Sequence, residues 1–251
     1  MRKKGGQYAD RRWMDKPRAF GKHGPVRPKA LFFDVDDTLV DRGGAFTRYF
    51  ESFMARFPDV FPAHRRAEDL ATLRVLDERG GRDRQAFFQD LLERFPVGLS
   101  EKAVRAEFHV GLARQVTSDP ELVAWLAARA GRQPVVVVSN GAADTQRMKL
   151  LHAGLYHCVP QGFFSSEVGV EKPDPAIFQA ALKHVNRAPS EVLHVGDDPV
   201  RDIVGAGRLG ITTCWVSHGR EWPASLPPPD FTVERVSTAV RDLERVLSTW
   251  T

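Results

Sequence analysis

A short apolar run that ends abruptly in acidic residues is the feature that most constrains the fold. Residues 30–33 (ALFF) precede DVDDTLV, which places Asp34, Asp36 and Asp37 within four positions. Apolar runs of this length that end at a change of charge are typical of buried strands in a parallel sheet. In a continuing strand Asp34 and Asp36 would point to the same side, because side chains alternate with a period of two. Their charges repel unless a cation or a shared proton offsets them, although a simple acidic turn would explain the same residues.

Two later apolar runs end in polar residues in the same way. The residues that close them are Ser139 and Asn140 after PVVVV, and Asp197 and Asp198 after VLHVG. Strand and helix patterns alternate from residue 133 onwards, which favours an α/β fold with a Rossmann-like parallel sheet and helices on both faces. The carboxyl ends of parallel strands meet at one edge of the sheet, so a single crevice can collect all of these side chains.

The segment between the first two predicted strands has the period of helices. Apolar residues recur there at three- and four-residue steps, which predicts amphipathic helices. The defining residues are Phe46, Tyr49, Phe50, Phe53 and Phe57, then Leu70, Leu73 and Leu76, then Phe87, Phe88, Leu91, Leu92 and Phe95. A fourth helix begins after Ser100, a residue type favoured at helix N-termini, and extends to about Arg114. The aromatic side chains are predicted to form a core.

The composition is that of an ordinary globular protein, with 42% hydrophobic and 27% charged residues. No run of about 18 apolar residues is present, which excludes a membrane-spanning helix. The basic, polar first residues have no apolar stretch after them, so a secretory signal is not expected. Cys158 and Cys214 form no metal-ligand or disulfide pattern, which suits a reducing cytoplasm.

Positive charge is concentrated in residues 1–29. They hold ten Lys or Arg and two Asp, a net charge of +8, which leaves −4 for the rest of a chain whose net charge is +4. The segment has no helical or strand period, which predicts a flexible basic arm. Basic arms with interleaved aromatic residues can bind nucleic acid, but most such runs are solvated, so a nucleic-acid partner is not expected.

The acidic strand end resembles motif I, D-x-D-x-T, of the haloacid dehalogenase-like phosphohydrolase superfamily, and three more motifs follow in order. Ser139 resembles motif II, Lys172 before Pro173 resembles motif III, and Asp197 with Asp198 and Asp202 resembles motif IV. The resemblance covers about residues 30–216. It implies that the four helices form a cap over residues 42–115, inserted into an α/β core made of residues 30–41 and 116–251.

The resemblance also implies a phosphatase that acts on a small phosphorylated metabolite, such as a nucleotide, flavin nucleotide or sugar phosphate. Asp34 would attack phosphorus and form an aspartyl-phosphate. Asp36 would serve as acid and then as base, which requires a carboxyl group whose pKa is raised by negative neighbours. Lys172 would hold Asp34 and the phosphoryl group, while Ser139 and the amide beside Asn140 would donate hydrogen bonds to its oxygens.

Magnesium is the cofactor that the resemblance implies. Asp34, the backbone carbonyl of Asp36, and Asp197 would hold it. Asp198 and Asp202 would support these ligands or orient Lys172. Because Asp197 and Asp198 are adjacent, either could touch the metal, and Asp197 is our prediction. Dehalogenase members lack the second acid of motif I, so Asp36 favours phosphoryl chemistry.

Two alternatives differ in what the site would do. A phosphotransfer mutase would use a second hydroxyl group in place of water, and a non-catalytic nucleic-acid-binding protein would use the basic arm on the same fold. His194 is predicted to be a core histidine. Arg42, Arg82 and Arg84 are near enough to the motifs to meet a substrate, but solvated positions are predicted for them. No feature of the sequence indicates an oligomeric state.

Overall fold

The computed structural model describes residues 27–235 and 240–248. The predicted basic arm, residues 1–29, therefore falls outside the described residues except for its end. Lys29 is held against the body of the protein: its N–H donates to the carbonyl of Glu191 (2.7 Å), and its Nζ lies 2.6 Å from Glu191 Oε1.

Six parallel strands form one sheet. They are β1 (Ala30–Phe33), β2 (Val135–Ser139), β3 (Gln161–Phe164), β4 (Val192–Gly196), β5 (Thr212–Val216) and β6 (Phe231–Val233). Their order across the sheet is β3-β2-β1-β4-β5-β6. The chain moves outward from β1 through β2 and β3, then returns to the other side of β1 at β4. Open α/β sheets bind ligands at such a reversal, beyond the carboxyl ends of the strands.

Helices connect the strands, and several short ones occur in the loops. The helices of the described residues are α1 (Arg42–Ala55), α2 (Arg66–Asp77), α3 (Arg84–Arg94), α4 (Glu101–Arg114), α5 (Pro120–Ala130), α6 (Ala143–His152), α7 (Ser165–Val168), α8 (Pro175–Val185), α9 (Gly205–Gly207) and α10 (Val240–Ser248). Helices α1–α4 are inserted between β1 and β2, and the α/β fold class with an all-helical insertion is confirmed. A π-helical turn, Pro199–Val204, follows β4 and leads into α9.

Side chains at the starts of α4 and α5 accept hydrogen bonds from backbone N–H groups of the first helical turn. Ser100 Oγ accepts from the N–H of Ala103 (3.3 Å), and Asp119 Oδ1 accepts from the N–H of Leu122 (3.2 Å). Caps of this kind stabilise a helix by about 1 kcal/mol each. They fix where α4 and α5 begin.

The four central strands, β1, β2, β4 and β5, are buried on both faces. Alternate residues of β1 separate, with Leu31 and Phe33 in one apolar cluster and Ala30 and Phe32 in another. The first cluster continues from the sheet into the inserted helices, where the rings of Phe46 and Phe108 lie 6.2 Å apart at a T-shaped angle. The aromatic residues predicted as core are therefore buried in it, except Phe57, which is partly buried against it. No helix of the described residues is long and apolar enough to cross a membrane.

Candidate active site

The strand that carries the first acidic residues ends in a tight loop. The carbonyl of Val35 accepts hydrogen bonds from the N–H groups of residues 38, 39 and 40, at 3.3, 2.9 and 3.0 Å. The strand has ended at this point, so the alternation expected of a continuing strand does not place the side chains. The loop nevertheless brings both Asp34 and Asp36 to a cleft at the carboxyl edge of the sheet.

Lys172 occupies the base of this cleft and is only 3% exposed. Its Nζ lies 2.6 Å from Asp34 Oδ1 and 2.6 Å from Asp202 Oδ1, and it donates to the carbonyl of Val138 at 2.8 Å. Burial alone would lower the pKa of Lys172, but Asp202 and Asp34 raise it above its ordinary value. The lysine is therefore a fixed positive charge beside Asp34.

Asn140 fixes Lys172 through the backbone. Its Oδ1 accepts from the N–H of Lys172 (2.7 Å), and its Nδ2 donates to the carbonyl of the same residue (3.0 Å). The side chain that the sequence indicates as a substrate contact thus joins the loop after β2 to the loop that carries Lys172.

Asp34 carries one carboxylate oxygen that is paired and one that is not. Oδ1 accepts from Lys172, whereas Oδ2 has no hydrogen bond within residues 27–235 and 240–248. Burial raises the pKa of Asp34 to about 6 against the opposing effect of Lys172, and Asp202 and Asp36 add to the rise. At neutral pH the carboxylate is still mostly ionised, which a nucleophile requires.

A second strand end supplies the acid that faces Asp34. Asp34, Asp197 and Asp202 each offer one carboxylate oxygen, and these oxygens all lie within 4.8 Å of one another. Burial raises the pKa of Asp197 to about 8, with further contributions from Asp202 and Asp34. This negative charge is only partly offset by Arg220, whose Nη2 lies 3.1 Å from Asp197 Oδ2. Hard divalent cations bind carboxylate oxygens, so this set of donors fits such an ion.

The other two acids of this region have different contacts. Asp198 Oδ1 accepts from the N–H groups of Val200 and Arg201, both at 2.8 Å, and so caps the turn that follows β4. Asp202 is 1% exposed and binds Lys172. Burial alone would raise the pKa of Asp202, but Lys172 and His194 lower it. Of the adjacent pair, Asp197 is therefore the one that the structure brings into the acidic cluster.

Asp36 has a cation as its main neighbour, contrary to expectation. Lys149 Nζ lies 2.6 Å from Oδ1 and 2.7 Å from Oδ2, and Gln146 Nε2 donates to Oδ2 at 3.0 Å. Burial would raise the pKa of Asp36, but Lys149, Arg42 and these hydrogen bonds lower it below its usual range. The predicted raised pKa is therefore wrong for this arrangement, because the nearest charge is positive.

Ser139 ends β2 and is buried on the same cleft. Gln146 Nε2 donates to Ser139 Oγ and to the carbonyl of Asn140, each at 3.0 Å. Helix α6 has no side-chain cap at its first residue, so Ser139 does not serve as its N-cap. Gln146 and Lys149 were missed as site residues by the sequence reasoning. Their three-residue spacing, on the helix that follows the second strand, is the signal that indicates a shared face.

Arg42 is buried rather than solvated, and the prediction of a solvated position is wrong. Its guanidinium makes a two-point contact with Asp77, from Nη1 to Oδ2 (2.6 Å) and from Nη2 to Oδ1 (2.9 Å). Arg84 Nη1 shares Asp77 Oδ1 at 2.9 Å, and Asp77 Oδ2 accepts from the N–H of Gly80 at 2.9 Å. One carboxylate therefore ties together the start of α1, the end of α2 and the start of α3.

The turn after α2 carries a residue that sequence reasoning did not single out. Glu78 and Arg79 both have left-handed backbone conformations, with φ of 49° and 56°. Such conformations are strained for residues other than glycine and cluster at functional sites. Arg79 Nη2 reaches Asp37 Oδ2 at 3.1 Å and Asp197 Oδ2 at 3.2 Å. The inserted helices thus place an arginine directly on the acidic cluster.

His194 is fully buried in β4, as predicted for a core histidine. Its Nε2 lies 3.1 Å from Asp202 Oδ1, and its ring meets the ring of Phe178 edge-on at 5.2 Å. Burial lowers the pKa of His194 despite the neighbouring Asp202. A neutral imidazole can donate to Asp202 and so help to fix the carboxylate that orients Lys172.

These groups enclose one cleft of about 710 Å³ between the sheet edge and the inserted helices. The sheet side supplies the acids, Ser139 and Lys172, and the helical side supplies several arginines. A volume of this size suits a small-molecule site.

Comparison with known proteins agrees with this arrangement. The family model of the haloacid dehalogenase-like hydrolases matches residues 28–210. A phosphoserine phosphatase from Thermus thermophilus is 38% identical over 149 residues, an alignment that spans only 59% of that relative and 59% of this chain. The pyrimidine 5′-nucleotidase YjjG from Escherichia coli is 30% identical over 235 residues, which cover 86% of this chain and 96% of that protein.

A solved structure shares the fold. The HAD-hydrolase YfnB from Bacillus subtilis, crystallised with magnesium, superposes with a TM-score of 0.71 at 20% identity and covers 88% of this chain and 99% of its own. At this identity the likeness concerns the fold alone. The family match over most of the chain, together with relatives named as a phosphatase and a nucleotidase, confirms the enzyme class implied by the motifs, that of a phosphoric monoester hydrolase. The chain belongs to the haloacid dehalogenase-like hydrolase family.

Proposed function

We propose that the chain is a magnesium-dependent phosphatase that hydrolyses a small phosphorylated metabolite through an aspartyl-phosphate on Asp34. The observation that supports the proposal is the pairing of Asp34 Oδ1 with buried Lys172, which leaves Oδ2 without a hydrogen bond among the described residues and available to attack phosphorus. The substrate classes that we propose are nucleotides, flavin nucleotides and sugar phosphates. The names of the two relatives, a phosphatase and a nucleotidase, support a phosphate monoester.

In the first step, Asp34 Oδ2 attacks phosphorus, and the bond from phosphorus to the leaving oxygen breaks. Asp36 donates a proton to that oxygen. Its pKa is low opposite Lys149, but the negative charge of a bound phosphate raises the pKa of a neighbouring carboxyl group. Lys172 keeps Asp34 in line and meets the charge that develops on the phosphoryl oxygens.

In the second step, Asp36 takes a proton from water, and the resulting hydroxide attacks the phosphoryl group on Asp34. Inorganic phosphate leaves and the Asp34 carboxylate is restored. Ser139 Oγ lies on the same cleft and is available to donate to a phosphoryl oxygen, because Gln146 donates to it rather than accepts from it. An ionised Asp36 suits this base role.

Asp34 and Asp197 are the side chains that would hold magnesium, with the backbone carbonyl of Asp36 as the third protein ligand. A bound divalent ion supplies charge neutralisation at the phosphoryl oxygens. Asp202 supports the site through Lys172 and is not needed as a ligand. Its Oδ1 is already engaged by Lys172 and His194, and its Oδ2 accepts from the N–H of Asp198 at 3.0 Å.

We assign residues 42–115 to a cap that covers the cleft, and residues 30–41 and 116–251 to the core. Closing a cleft of this kind excludes water from the reacting groups. Both cysteines are buried and Cys158 is a free thiol, and we propose a cytoplasmic location, where thiols stay reduced.

The test is hydrolysis of p-nitrophenyl phosphate with magnesium. Asp34→Asn should abolish turnover, because an amide cannot form the acyl phosphate, and EDTA should abolish it reversibly. Asp59→Asn, at an exposed position outside the cleft, is the matched control and should retain activity. Full activity of Asp34→Asn, or of the wild-type protein after EDTA treatment, would contradict the proposal. Phosphate release without a sugar acceptor separates hydrolysis from transfer by a mutase.

A further inference from the structure

One face of α4 forms a wall of the cleft that the reaction on Asp34 does not use. The residues of that face are spaced by three and four positions, as one side of a helix requires, and they are Arg105, Phe108, His109 and Leu112. Helix α4 belongs to the inserted helices, whereas Asp34, Ser139 and Lys172 come from the sheet edge. A substrate with its phosphate at Asp34 therefore has a second wall to contact.

The side chains of Arg105 and His109 make no hydrogen bond within the described residues. In the part of the chain that the structure describes, the one acidic contact of the Arg105 guanidinium is Glu101 Oε1 at 3.9 Å, beyond hydrogen-bond distance. The ring nitrogens of His109 have no hydrogen bond there either, and the imidazole meets only the rings of Phe88 and Phe108. Arg84 differs, because its Nη1 donates a hydrogen bond to Asp77 Oδ1.

Positive charge is concentrated around this wall. Burial lowers the pKa of His109, and Arg105, Lys149 and Arg84 lower it further, with no carboxylate acting in the opposite direction. The charges of Lys149 and Arg84 are already paired with Asp36 and Asp77. Arg105 is the cation of this group with donors to spare.

We propose that Arg105 and His109 bind a second anionic group of the substrate, a carboxylate or a phosphate distinct from the phosphoryl group that Asp34 takes. This inference rests on the proposed phosphatase function and narrows its substrate class to phosphorylated acids or bisphosphates. A guanidinium offers two parallel N–H groups, which match the two oxygens of either anion. Phe108 and Leu112, on the same helix face, would contact the carbon skeleton between the two anionic ends.

The test compares substrates that differ only in the second group. 3-Phosphoglycerate and glycerol 3-phosphate differ in a carboxylate, and fructose 1,6-bisphosphate and fructose 6-phosphate differ in a phosphate. We expect the wild-type protein to prefer the member with two anionic groups in at least one pair, by about tenfold or more in kcat/KM, the usual effect of a charge-assisted hydrogen bond. The preferred pair identifies the anion as carboxylate or phosphate.

Variants on α4 test whether that preference depends on Arg105. Arg105→Gln should reduce the ratio of the two specificity constants toward one, and Arg105→Lys should retain part of it. Lys102→Gln removes the same charge from an exposed position of the same helix, outside the cleft, and should leave the ratio unchanged. Using a ratio within each variant removes any effect of the substitution on folding or on the chemical step.

The outcomes separate this inference from the proposed function. Hydrolysis of p-nitrophenyl phosphate by the wild-type protein with no preference in either pair overturns the second-anion site and leaves the phosphatase intact. A preference that survives Arg105→Gln unchanged also overturns it. Absence of any p-nitrophenyl phosphate hydrolysis overturns the phosphatase itself, and the second-anion site with it.

Discussion

Lys149 Nζ lies within 2.7 Å of both carboxylate oxygens of Asp36, so a buried lysine on α6 directly faces the proposed acid and base. Burial lowers the pKa of Lys149 in spite of Asp36, and Lys149 in turn lowers the pKa of Asp36. The pair joins the loop after β1 to the helix after β2. Its charge balance therefore determines in which pH range Asp36 can act.

Lys149→Met should move the acidic limb of the pH profile to higher pH. Without the lysine, burial is the main effect left on Asp36, so its pKa rises and the ionised base is lost at a higher pH. p-Nitrophenyl phosphate is the suitable substrate, because its leaving group needs little help from an acid and the profile reports the base step. Lys183→Met, exposed on α8, is the control. An unchanged acidic limb would show that Lys149 does not set the protonation of Asp36.

Asp77→Asn should destabilise the protein strongly. It leaves the buried Arg42 guanidinium without its counter-charge, and loss of one partner from a buried pair costs about 3–5 kcal/mol. Urea unfolding measures the change in the free energy of unfolding. Asp90→Asn is the matched control: its partner Arg82 is partly exposed, and pairs of that kind contribute less than about 1 kcal/mol. Equal losses for the two variants would contradict the role of Asp77 in tying three helix ends together.

Arg79→Gln should strengthen the binding of magnesium. Arg79 Nη2 lies 3.2 Å from Asp197 Oδ2, so the guanidinium and a divalent cation compete for the same carboxylate. Removing the competitor should lower the Kd for the ion several-fold, as measured by calorimetric titration without substrate. Arg74, on an exposed position of α2, donates instead to the hydroxyl of Thr47 on α1, so Arg74→Gln should leave that Kd unchanged. A higher or unchanged Kd for magnesium in Arg79→Gln would contradict a competition between Arg79 and the ion.

The sheet was predictable because its strands are apolar runs with sharp polar ends. The buried strands β1, β2 and β4 each end at or next to a residue of the predicted motifs, Asp34, Ser139 or Asp197. In such strands both faces pack against helices, so the hydrophobic pattern is nearly continuous and easily recognised. The acidic cluster then follows from topology alone, because neighbouring parallel strands end at one edge.

Contacts that depend on how the inserted helices pack could not be predicted. The partner of Arg42 is Asp77, 35 positions away, and no local pattern indicates that they meet. The same holds for Asp36 and Lys149, 113 positions apart. Since arginine and lysine are usually exposed, composition favours the solvated alternative until the packing is known. The wrong expectation for the pKa of Asp36 has this origin.

The order of the strands has a consequence for how the chain folds during synthesis. β1 lies at the centre of the sheet, and its two neighbours arrive about a hundred and about a hundred and sixty residues later in the chain. Pairings of such long range form slowly, since the intervening chain must first be ordered. We therefore expect the acidic cluster of Asp34, Asp197 and Asp202 to form only after β4 and the turn that follows it have been made and have docked beside β1.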